Sequence, residues 1–496
     1  MAVPQSYALA GHITQSDITV SIDYNDAGAV DPDSGLVFYG QVDVDRFLYE
    51  KGAINFKHIM AFWEALPTSI AHVITLNLAE GDHYPRSSDT YIALDFRNKL
   101  FVGGEVIVNG GSPSTYVALD GYLEDLIPAS IQTGSNDPYM TFSGTPFTSF
   151  DLRGYYAVLD TGQATLIHDH DNSTLYLIDE LSPTPTSVTV ARPSTRFLND
   201  DGLGSRLATL SALWVDGTPD RRGGSYTQFE FNDLVIAQYG ASYGVFSSQG
   251  NTYLTRLVLD NTIGPSEAGI GFTVAGSNAA VQLFACSRIA SIGTLVASMP
   301  YYVAGGSSGI YSTSNYAQGG KDGVVIKYSR EGSFYAIGLI LNQVGDVSLP
   351  VTERASVTVA NGRLRFSSPG SRDGKHNEIR NGTVPGILLI DGGYDRGTSH
   401  GSVTFKGLSA PCVLLSGASV LDLTVFGTEK FIDGGGNTDV GIQIDGPYAR
   451  VKLNSLTDVS GSIGDVRMAD GDIWSYTLIS SYGPVTDSEY NIVEVL

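Results

Sequence analysis

The feature that most constrains this chain is a long succession of short strand-like segments with almost no helical periodicity between them. Apolar and polar residues alternate within many of these segments, as expected of half-buried β-strands. The segments lie at 72–79, 100–108, 229–236, 253–259, 280–289, 355–366, 376–390, 401–415, 420–426, 440–444 and 449–453. Asn-Gly or Asp-Gly pairs begin at 361, 381, 391, 433 and 445. Such pairs supply the positive φ angles of tight turns, so the pattern predicts an all-β fold.

The spacing of the segments favours a β-solenoid. Short strands that recur about every 20–30 residues without helices between them suit coils that bury their inward side chains on the coil before. A sandwich or barrel would use similar strands, and periodicity alone does not distinguish them. The length of 496 residues favours the solenoid, because one sandwich rarely absorbs about 400 residues.

One segment has helical periodicity. Asn55 is a plausible N-cap, and Ile59, Phe62, Trp63 and Leu66 follow at i, i+3, i+4 and i+7, which is the apolar stripe of an amphipathic helix. A proline directly after this stripe cannot continue the helix. We therefore expect a short helix over 56–66 that covers the open end of the strand stack.

Local composition, and above all the positions of prolines, divides the chain into five predicted regions. Seven prolines between 125 and 225, with short strands among them, indicate a small β module inserted into the main stack. The predicted regions are an N-terminal attachment or leader region at 1–54, the capping helix and first coils at 55–124, the inserted module at 125–225, the main stack at 226–454 with an excursion at 299–322, and a C-terminal β segment at 455–496.

Charge and composition exclude several classes of partner. The net charge of −23 disfavours nucleic acid and anionic lipid surfaces. Forty-two per cent hydrophobic residues can build a large core, which argues against disorder. There is no basic, apolar leader and no span of roughly 18 apolar residues, so we expect synthesis in a cytoplasm and no membrane insertion. Cys286 and Cys412 lack metal-site spacing, and we predict neither a metal nor a cofactor.

Several motifs resemble the pectate-lyase-like right-handed parallel β-helices, most closely those of bacteriophage tail proteins. The resemblance lies in the apolar segment 56–67, in the strand and turn of 72–84 that ends Ala79-Glu-Gly-Asp-His-Tyr84, in the paired glycines of 100–111, and in the segment 154–193. It implies a right-handed parallel β-helix with an N-terminal capping helix, homotrimeric assembly, contacts with other tail or baseplate proteins, and a place in the virion.

Two constellations could carry enzymatic or metal chemistry. Asp391 and Asp395, with Arg396 beside them, supply the carboxylates that a polysaccharide-cleaving enzyme needs, although Asp before Gly also suits a turn for its own sake. His168 and His170 would share one face of a strand. No third ligand is apparent nearby, so a polar turn is the preferred interpretation of that motif.

The segment 299–322 suggests recognition. Tyr301, Tyr302, Tyr311 and Tyr316 are interleaved with Ser, Gly and Asn, a mixture used in recognition loops, and tyrosine rings stack well on sugars. A glycine-rich packing loop between coils or subunits is the alternative.

Three functions remain open from the sequence. The leading hypothesis is a phage tail fibre, tailspike or baseplate appendage that recognises a host-surface glycan through a trimeric β-helix. The second is a polysaccharide depolymerase, a lyase or glycosidase, on the same fold. The third is a purely structural tail component.

Overall fold

The computed structural model describes residues 66–83, 92–97, 99–111, 116–133, 138–198, 250–261, 279–290, 377–381, 383–390, 402–422 and 441–445 continuously, and elsewhere mainly the strands given below. Nearly all of the described residues belong to strands or to the turns that join them. The prediction of an all-β chain is therefore confirmed, and most of its sheets are parallel.

A 22-stranded parallel sheet bends along its length into two panels. The first, here called the front panel, contains Ile18–Ile22, Asn55–Phe56, Val73–Leu78, Glu105–Gly110, the first halves of Gln228–Ala237 and Gly250–Asn261, and then Ala279–Phe284, Gly309–Thr313, Ser333–Ile337, Arg363–Phe366, Tyr394–Arg396, Val420–Asp422, Arg450–Leu453 and Thr477–Ser480. The side panel contains Gly81–His83, Thr195–Leu198, the second halves of the same two long strands, Ser287–Ala290, Tyr316–Gln318, Ile340–Asn342, Asn377–Arg380, Ser402–Lys406 and Lys430–Asp433.

An 11-stranded parallel sheet forms a third wall, here called the rear sheet. Its strands are Ile92–Phe96, Ser211–Val215, Tyr243–Ser247, Ile270–Ala275, Tyr301–Ala304, Val324–Lys327, Val357–Ala360, Ile387–Ile390, Val413–Leu415, Ile442–Ile444 and Val466–Met468. Two small sheets are also present: Ser69–Ile70, Leu100–Phe101 and Thr218–Pro219 are parallel, and Ala29–Val30 and Val37–Phe38 are antiparallel.

The chain visits the rear sheet, the front panel and the side panel in turn, and each strand pairs in parallel with its counterpart one rung further on. Side chains alternate across each strand, so one row per strand faces the interior. Phe229, Phe231 and Leu254 of the front panel are buried in this way, as are Val245 and Phe272 of the rear sheet. The core therefore runs between the three walls.

The bend between the front and side panels is made without glycine in three described rungs. Asp233, Arg256 and Ala285 adopt positive φ angles of 56°, 51° and 51°. This conformation is uncommon for residues with a side chain, and only Asp among the three has a side chain suited to it. The stacking of neighbouring rungs holds these corners in place.

An antiparallel module interrupts one rung. The chain leaves the front panel after Gly110, forms the module, and enters the side panel at Thr195. The module strands are Tyr116–Ala118, Pro128–Gln132, Tyr139–Phe142, Tyr156–Leu159, Ala164–His170, Thr174–Leu177 and Val188–Pro193, with a 3-10 turn at Gly121–Leu123. It has its own buried core, which includes Met140, Phe147 and Leu175. The module starts before and ends before the predicted range 125–225.

The first rungs also differ from expectation. Ile18–Ile22 pairs with Val73–Leu78, so a strand of the front panel lies inside the predicted leader region 1–54. Asn55 is paired in a strand, which makes its prediction as an N-cap wrong. Nor is a continuous helix over 56–66 seen, because part of that segment lies outside the described residues.

The predicted apolar stripe is nonetheless buried. Ile59, Phe62, Trp63 and Leu66 are all within the core, and Leu66 N–H donates to the Phe62 carbonyl at 3.1 Å, one helical turn back along the chain. Trp63 packs against Phe96 with the ring centroids 5.1 Å apart. The amphipathic pattern thus identified side chains that fill the first rungs.

The described residues of the segment 299–322 belong to the stack rather than to an excursion. They form one strand in each wall, Tyr301–Ala304, Gly309–Thr313 and Tyr316–Gln318, and these pair with the rung before and the rung after.

Candidate functional site

The outward face of the front panel presents a mixed polar and aromatic surface. Because Phe229, Phe231 and Leu254 point inward, the residues between them lie on the opposite face. These outward side chains are partly exposed, and Phe284 keeps 45% of its surface in solvent. They are Glu230, Asn232, Asn251, Tyr253, Thr255, Gln282 and Phe284.

The parallel register aligns several of these residues into one row. Glu230 is opposite Tyr253, Tyr253 is opposite Gln282, and the row continues by register through Tyr311 and Tyr335. Neighbouring strands are about 4.8 Å apart, so successive positions of the row follow one another at that spacing. Acidic, aromatic and amide groups thereby lie in a line across consecutive rungs.

An asparagine ladder runs beside this row. Asn109 Nδ2 donates to Asn77 Oδ1 at 3.1 Å, and Asn232 Nδ2 donates to Asn109 Oδ1 at 3.1 Å. Each of the three side chains remains partly exposed. The ladder fixes the amide orientations, which gives this part of the face a preset pattern of donors and acceptors.

Two glutamates meet at the start of the row. Glu105 and Glu230 lie on adjacent paired strands, two register positions apart. Burial first, and then the neighbouring carboxyl group of Glu230, raise the pKa of Glu105. Glu105 therefore keeps its proton to a higher pH than an isolated carboxyl would. The sequence offered no sign of this pair, because the two residues are 125 positions apart and are brought together only by the parallel pairing of their strands across the inserted module.

The four tyrosines predicted to bind glycan are distributed over the rung. Tyr301 is fully buried and stacks on Phe272 at 5.6 Å, and Tyr316 is fully buried against the module. This corrects the prediction for these two residues, because a fully buried ring offers no surface to a sugar. Tyr302 and Tyr311 lie in strands, but their side chains are outside the described residues.

The predicted catalytic set is only partly described. Asp395 and Arg396 belong to the strand Tyr394–Arg396 of the front panel rather than to a turn, and their side chains, like the whole of Asp391, lie outside the described residues. Asp395 pairs in register with Leu364 and Leu421. Arg380, which is close in sequence, is buried under the module and contacts His168.

The motif that contains His168 and His170 forms part of the contact between the module and the side panel, and it is not a metal site. His168 is 5% exposed and its Nδ1 lies 3.3 Å from Arg380, whereas His170 Nε2 lies 3.7 Å from the Asp151 carboxylate. The register shifts between Ile167 and Asp169, which separates the two imidazoles. Within the described part of the chain, no group of three or more His, Cys, Asp or Glu could hold a metal ion.

Comparisons with known proteins give distant structural similarity only. No protein-family model matches the chain, and no curated protein matches it. A structure described as a glycoside hydrolase is similar at 10% identity over 94% of this chain and 96% of that one, with a TM-score of 0.29.

Two phage tailspikes are also similar. The Gp54 tailspike of Acinetobacter baumannii bacteriophage AP22, in complex with A. baumannii capsular saccharide, shares 9% identity over 90% of this chain and 83% of that one, with a TM-score of 0.19. Tailspike protein 3 of bacteriophage CBA120 shares 9% identity over 99% of this chain and 69% of that one, with a TM-score of 0.27.

None of the helical segments among the described residues is long and apolar enough to cross a membrane.

Proposed function

We propose that this chain is a phage tail protein, a fibre, tailspike or baseplate appendage of the virion, that recognises a host-surface glycan. In this proposal the stacked rungs form a right-handed parallel β-helix, three copies assemble into a trimer, and other tail proteins hold it in the particle. The observation that carries the proposal is the row Glu230, Tyr253 and Gln282 on the outward face of the front panel.

The row suits an extended saccharide for two reasons. An aromatic ring offers a flat apolar surface to a sugar, while amides and carboxyls bond its hydroxyl groups. Regular spacing of about 4.8 Å per rung also allows one linear chain to contact several rungs in succession. The neighbouring asparagine ladder, in which Asn109 bonds both Asn77 and Asn232, adds fixed polar groups beside it.

Binding of purified host-surface polysaccharide, measured by calorimetry, tests this proposal. Tyr253→Ala and Gln282→Ala should each weaken binding at least about tenfold, since each removes a contact worth on the order of 1.4 kcal/mol. Tyr122→Ala is the matched control, because Tyr122 is 86% exposed on the module, away from the row. Equal affinities for all the variants and the unmodified protein would contradict the proposal.

A depolymerase is the second candidate, and the Glu105–Glu230 pair favours it. Glycosidases use two nearby carboxyl groups, one kept protonated as an acid and one ionised. The raised pKa of Glu105 beside Glu230 meets the first half of that requirement. The set Asp391, Asp395 and Arg396 is the competing assignment for the same activity.

Release of reducing ends or unsaturated products from host polysaccharide distinguishes these assignments. If the glutamate pair cleaves the glycan, Glu105→Gln and Glu230→Gln should lower the rate by at least about 100-fold, while Asp395→Asn leaves it unchanged. The reverse pattern would move the chemistry to Asp391, Asp395 and Arg396. Binding without any product would leave recognition alone as the function.

A further inference from the structure

The module lies lengthwise along the side panel and is attached at one end only. Both of its connections to the stack, after Gly110 and before Thr195, join the rung that pairs with Gln228–Ala237. From that rung to Asn377–Arg380 there are six strand-to-strand steps in the side panel. At about 4.8 Å a step, the far contact of the module lies roughly 29 Å from its root.

The contacts along this length change in character. Near the root, Tyr116 Oη donates to Asp233 at 2.9 Å. The middle is mainly apolar, and buries Val258, Ile289 and Tyr316 against the module. At the far end the module touches the stack through His168, which meets Arg380.

The far contact is a cluster of titratable groups around the buried side chains of His168 and Arg380. Arg380 is 3% exposed and donates from Nη1 to His168 Nδ1 at 3.3 Å and from Nη2 to the His168 carbonyl. Its charge is offset by Glu378 Oε1 at 3.4 Å and Asp169 Oδ2 at 3.5 Å.

Other ionisable groups surround the same imidazole. Lys406 adds a positive charge from the next side-panel strand, and the Tyr176 ring lies 6.4 Å from the imidazole. Within the module, both His170 and Arg153 contact the carboxylate of Asp151. The charges that act on the pKa of His168 are those of Arg380 and Lys406.

We propose that His168 and Arg380 form an acid-sensitive latch, which holds the far end of the module on the side panel and releases it on acidification. A guanidinium only donates hydrogen bonds, so Nδ1 must be unprotonated to accept one. A proton on Nδ1 would set donor against donor and place a second positive charge beside Arg380, where little water can screen either. Release from the panel exposes His168 to water and removes both penalties.

The direction of the pH effect follows from linkage. Burial first, and then the charges of Arg380 and Lys406, hold the pKa of His168 well below its ordinary value of 6.5. The closed latch is therefore at full strength above that ordinary value. Below it, the equilibrium shifts toward the open module by up to about tenfold for each pH unit, until the pKa of the closed state is reached.

Amide hydrogen exchange of the full chain between pH 7.5 and 5.0, corrected for intrinsic exchange rates, tests the latch. Protection of Ala164–His170, Thr174–Leu177 and Asn377–Arg380 should fall as the pH passes below about 6.5, while the rear-sheet strand Val413–Leu415 stays protected. His168→Gln should abolish this fall, because an amide oxygen accepts from Arg380 without titrating. His170→Gln is the matched control and should behave like the unmodified protein.

Lys406→Gln supplies a second variant at an exposed position in case His168→Gln does not fold. It removes one of the two cations near His168, so the acid-induced loss of protection should be smaller than in the unmodified protein. Three results would overturn the latch: unchanged protection down to pH 5.0, a fall in His168→Gln equal to that of the unmodified protein, or parallel loss of protection in Val413–Leu415.

Discussion

Asp233 ties three parts of the molecule together from a single corner position. Its side chain is 6% exposed, accepts a hydrogen bond from Tyr116 of the module, and receives two bonds from Arg256 in the next rung at 2.5 and 2.8 Å. Because Asp233 and Arg256 both occupy positive-φ corners, backbone conformation and ion pairing support one another here. The Asp233–Arg256 ion pair thus stabilises a positive-φ corner at which glycine is the usual residue.

Removal of the charge at this corner should loosen both rungs. Asp233→Asn keeps a side chain that tolerates positive φ but leaves the Arg256 guanidinium without its carboxylate. We expect the free energy of local unfolding to fall by about 3 kcal/mol. This is the lower end of the usual cost of breaking a buried ion pair, because the Arg256 side chain is 28% exposed. Local opening of Gln228–Ala237 and Gly250–Asn261 by hydrogen exchange measures it. Asp125→Asn is the control, at a positive φ of 47° but exposed, and should change stability by less than about 0.5 kcal/mol. Equal effects would contradict the role given to the ion pair.

Glu105 should make the first rungs less stable as the pH rises. Its pKa is raised in the folded state above the ordinary 4.5, so the folded state binds the proton more tightly and loses stability as pH rises from that value through the raised pKa. Glu105→Gln removes the charge beside Glu230 and keeps a side chain of nearly the same shape. The protection of Glu105–Gly110 should therefore increase at pH 7.5 and be unchanged at pH 3.5. Unchanged protection at pH 7.5 would contradict a raised pKa of Glu105 in the folded protein.

For individual residues of the candidate site, the sequence gives the type of side chain but not the face of the strand on which it lies. Tyrosines among Ser and Gly suggested a binding loop, yet Tyr301 and Tyr316 are buried, because composition does not reveal which side of a strand faces the core. Glu105 and Glu230 were missed for the opposite reason. Their contact depends on the parallel register between strands on either side of the inserted module, and register across such an interruption has no local signal.

Gly154 lies at a close approach between the module and the side panel. It has a positive φ of 83°, and a Cβ there would lie 2.8 Å from Ile289 Cγ1 and 3.2 Å from Tyr316 Cδ1. Its carbonyl also accepts a hydrogen bond from Ser287 Oγ at 2.6 Å, and the neighbouring Tyr156 Oη donates to the Ala285 carbonyl at 2.6 Å. The module can be seated this closely only because residue 154 has no side chain.

A methyl group at residue 154 should push the module away from the side panel. Gly154→Ala combines backbone strain with overpacking, whereas Gly162→Ala, at a φ of 87° with open space around it, adds the strain alone. We expect Gly162→Ala to cost about 1 kcal/mol and Gly154→Ala about 1–3 kcal/mol more. Exchange protection of Tyr316–Gln318 and Ile340–Asn342 measures the difference. Equal costs would show that the module does not press on the panel at Gly154.

At the scale of elements, the sequence predicts strands better than their connections. Alternation located Val73–Leu78 and Gln228–Ala237 to within one residue at each end, because each strand buries every second side chain. The predicted segment 280–289 instead spans two strands, Ala279–Phe284 and Ser287–Ala290. The bounds of the module were less accessible, because Thr195–Leu198 looks like another short module strand although it pairs with Gly81–His83 and Gln228–Ala237 of the stack.

At the scale of the whole molecule, the walls have different surroundings. The module covers part of the side panel, whereas Glu230, Tyr253, Gln282 and Phe284 of the front panel remain partly or largely exposed. The front panel is therefore the described face on which polar and aromatic groups are both aligned by register and open to solvent. The scarcity of charge, 16% of residues, fits an architecture in which each strand buries one row of side chains.

Hydroxyl-radical footprinting of the full chain, with and without saturating host-surface polysaccharide, tests whether the front panel binds the glycan. If the front panel recognises the glycan, labelling of Tyr253 and Phe284 should fall severalfold on binding, while labelling of the exposed Tyr122 on the module stays constant. Protection of Tyr122 with unchanged labelling of Tyr253 and Phe284 would contradict it and move recognition to the module.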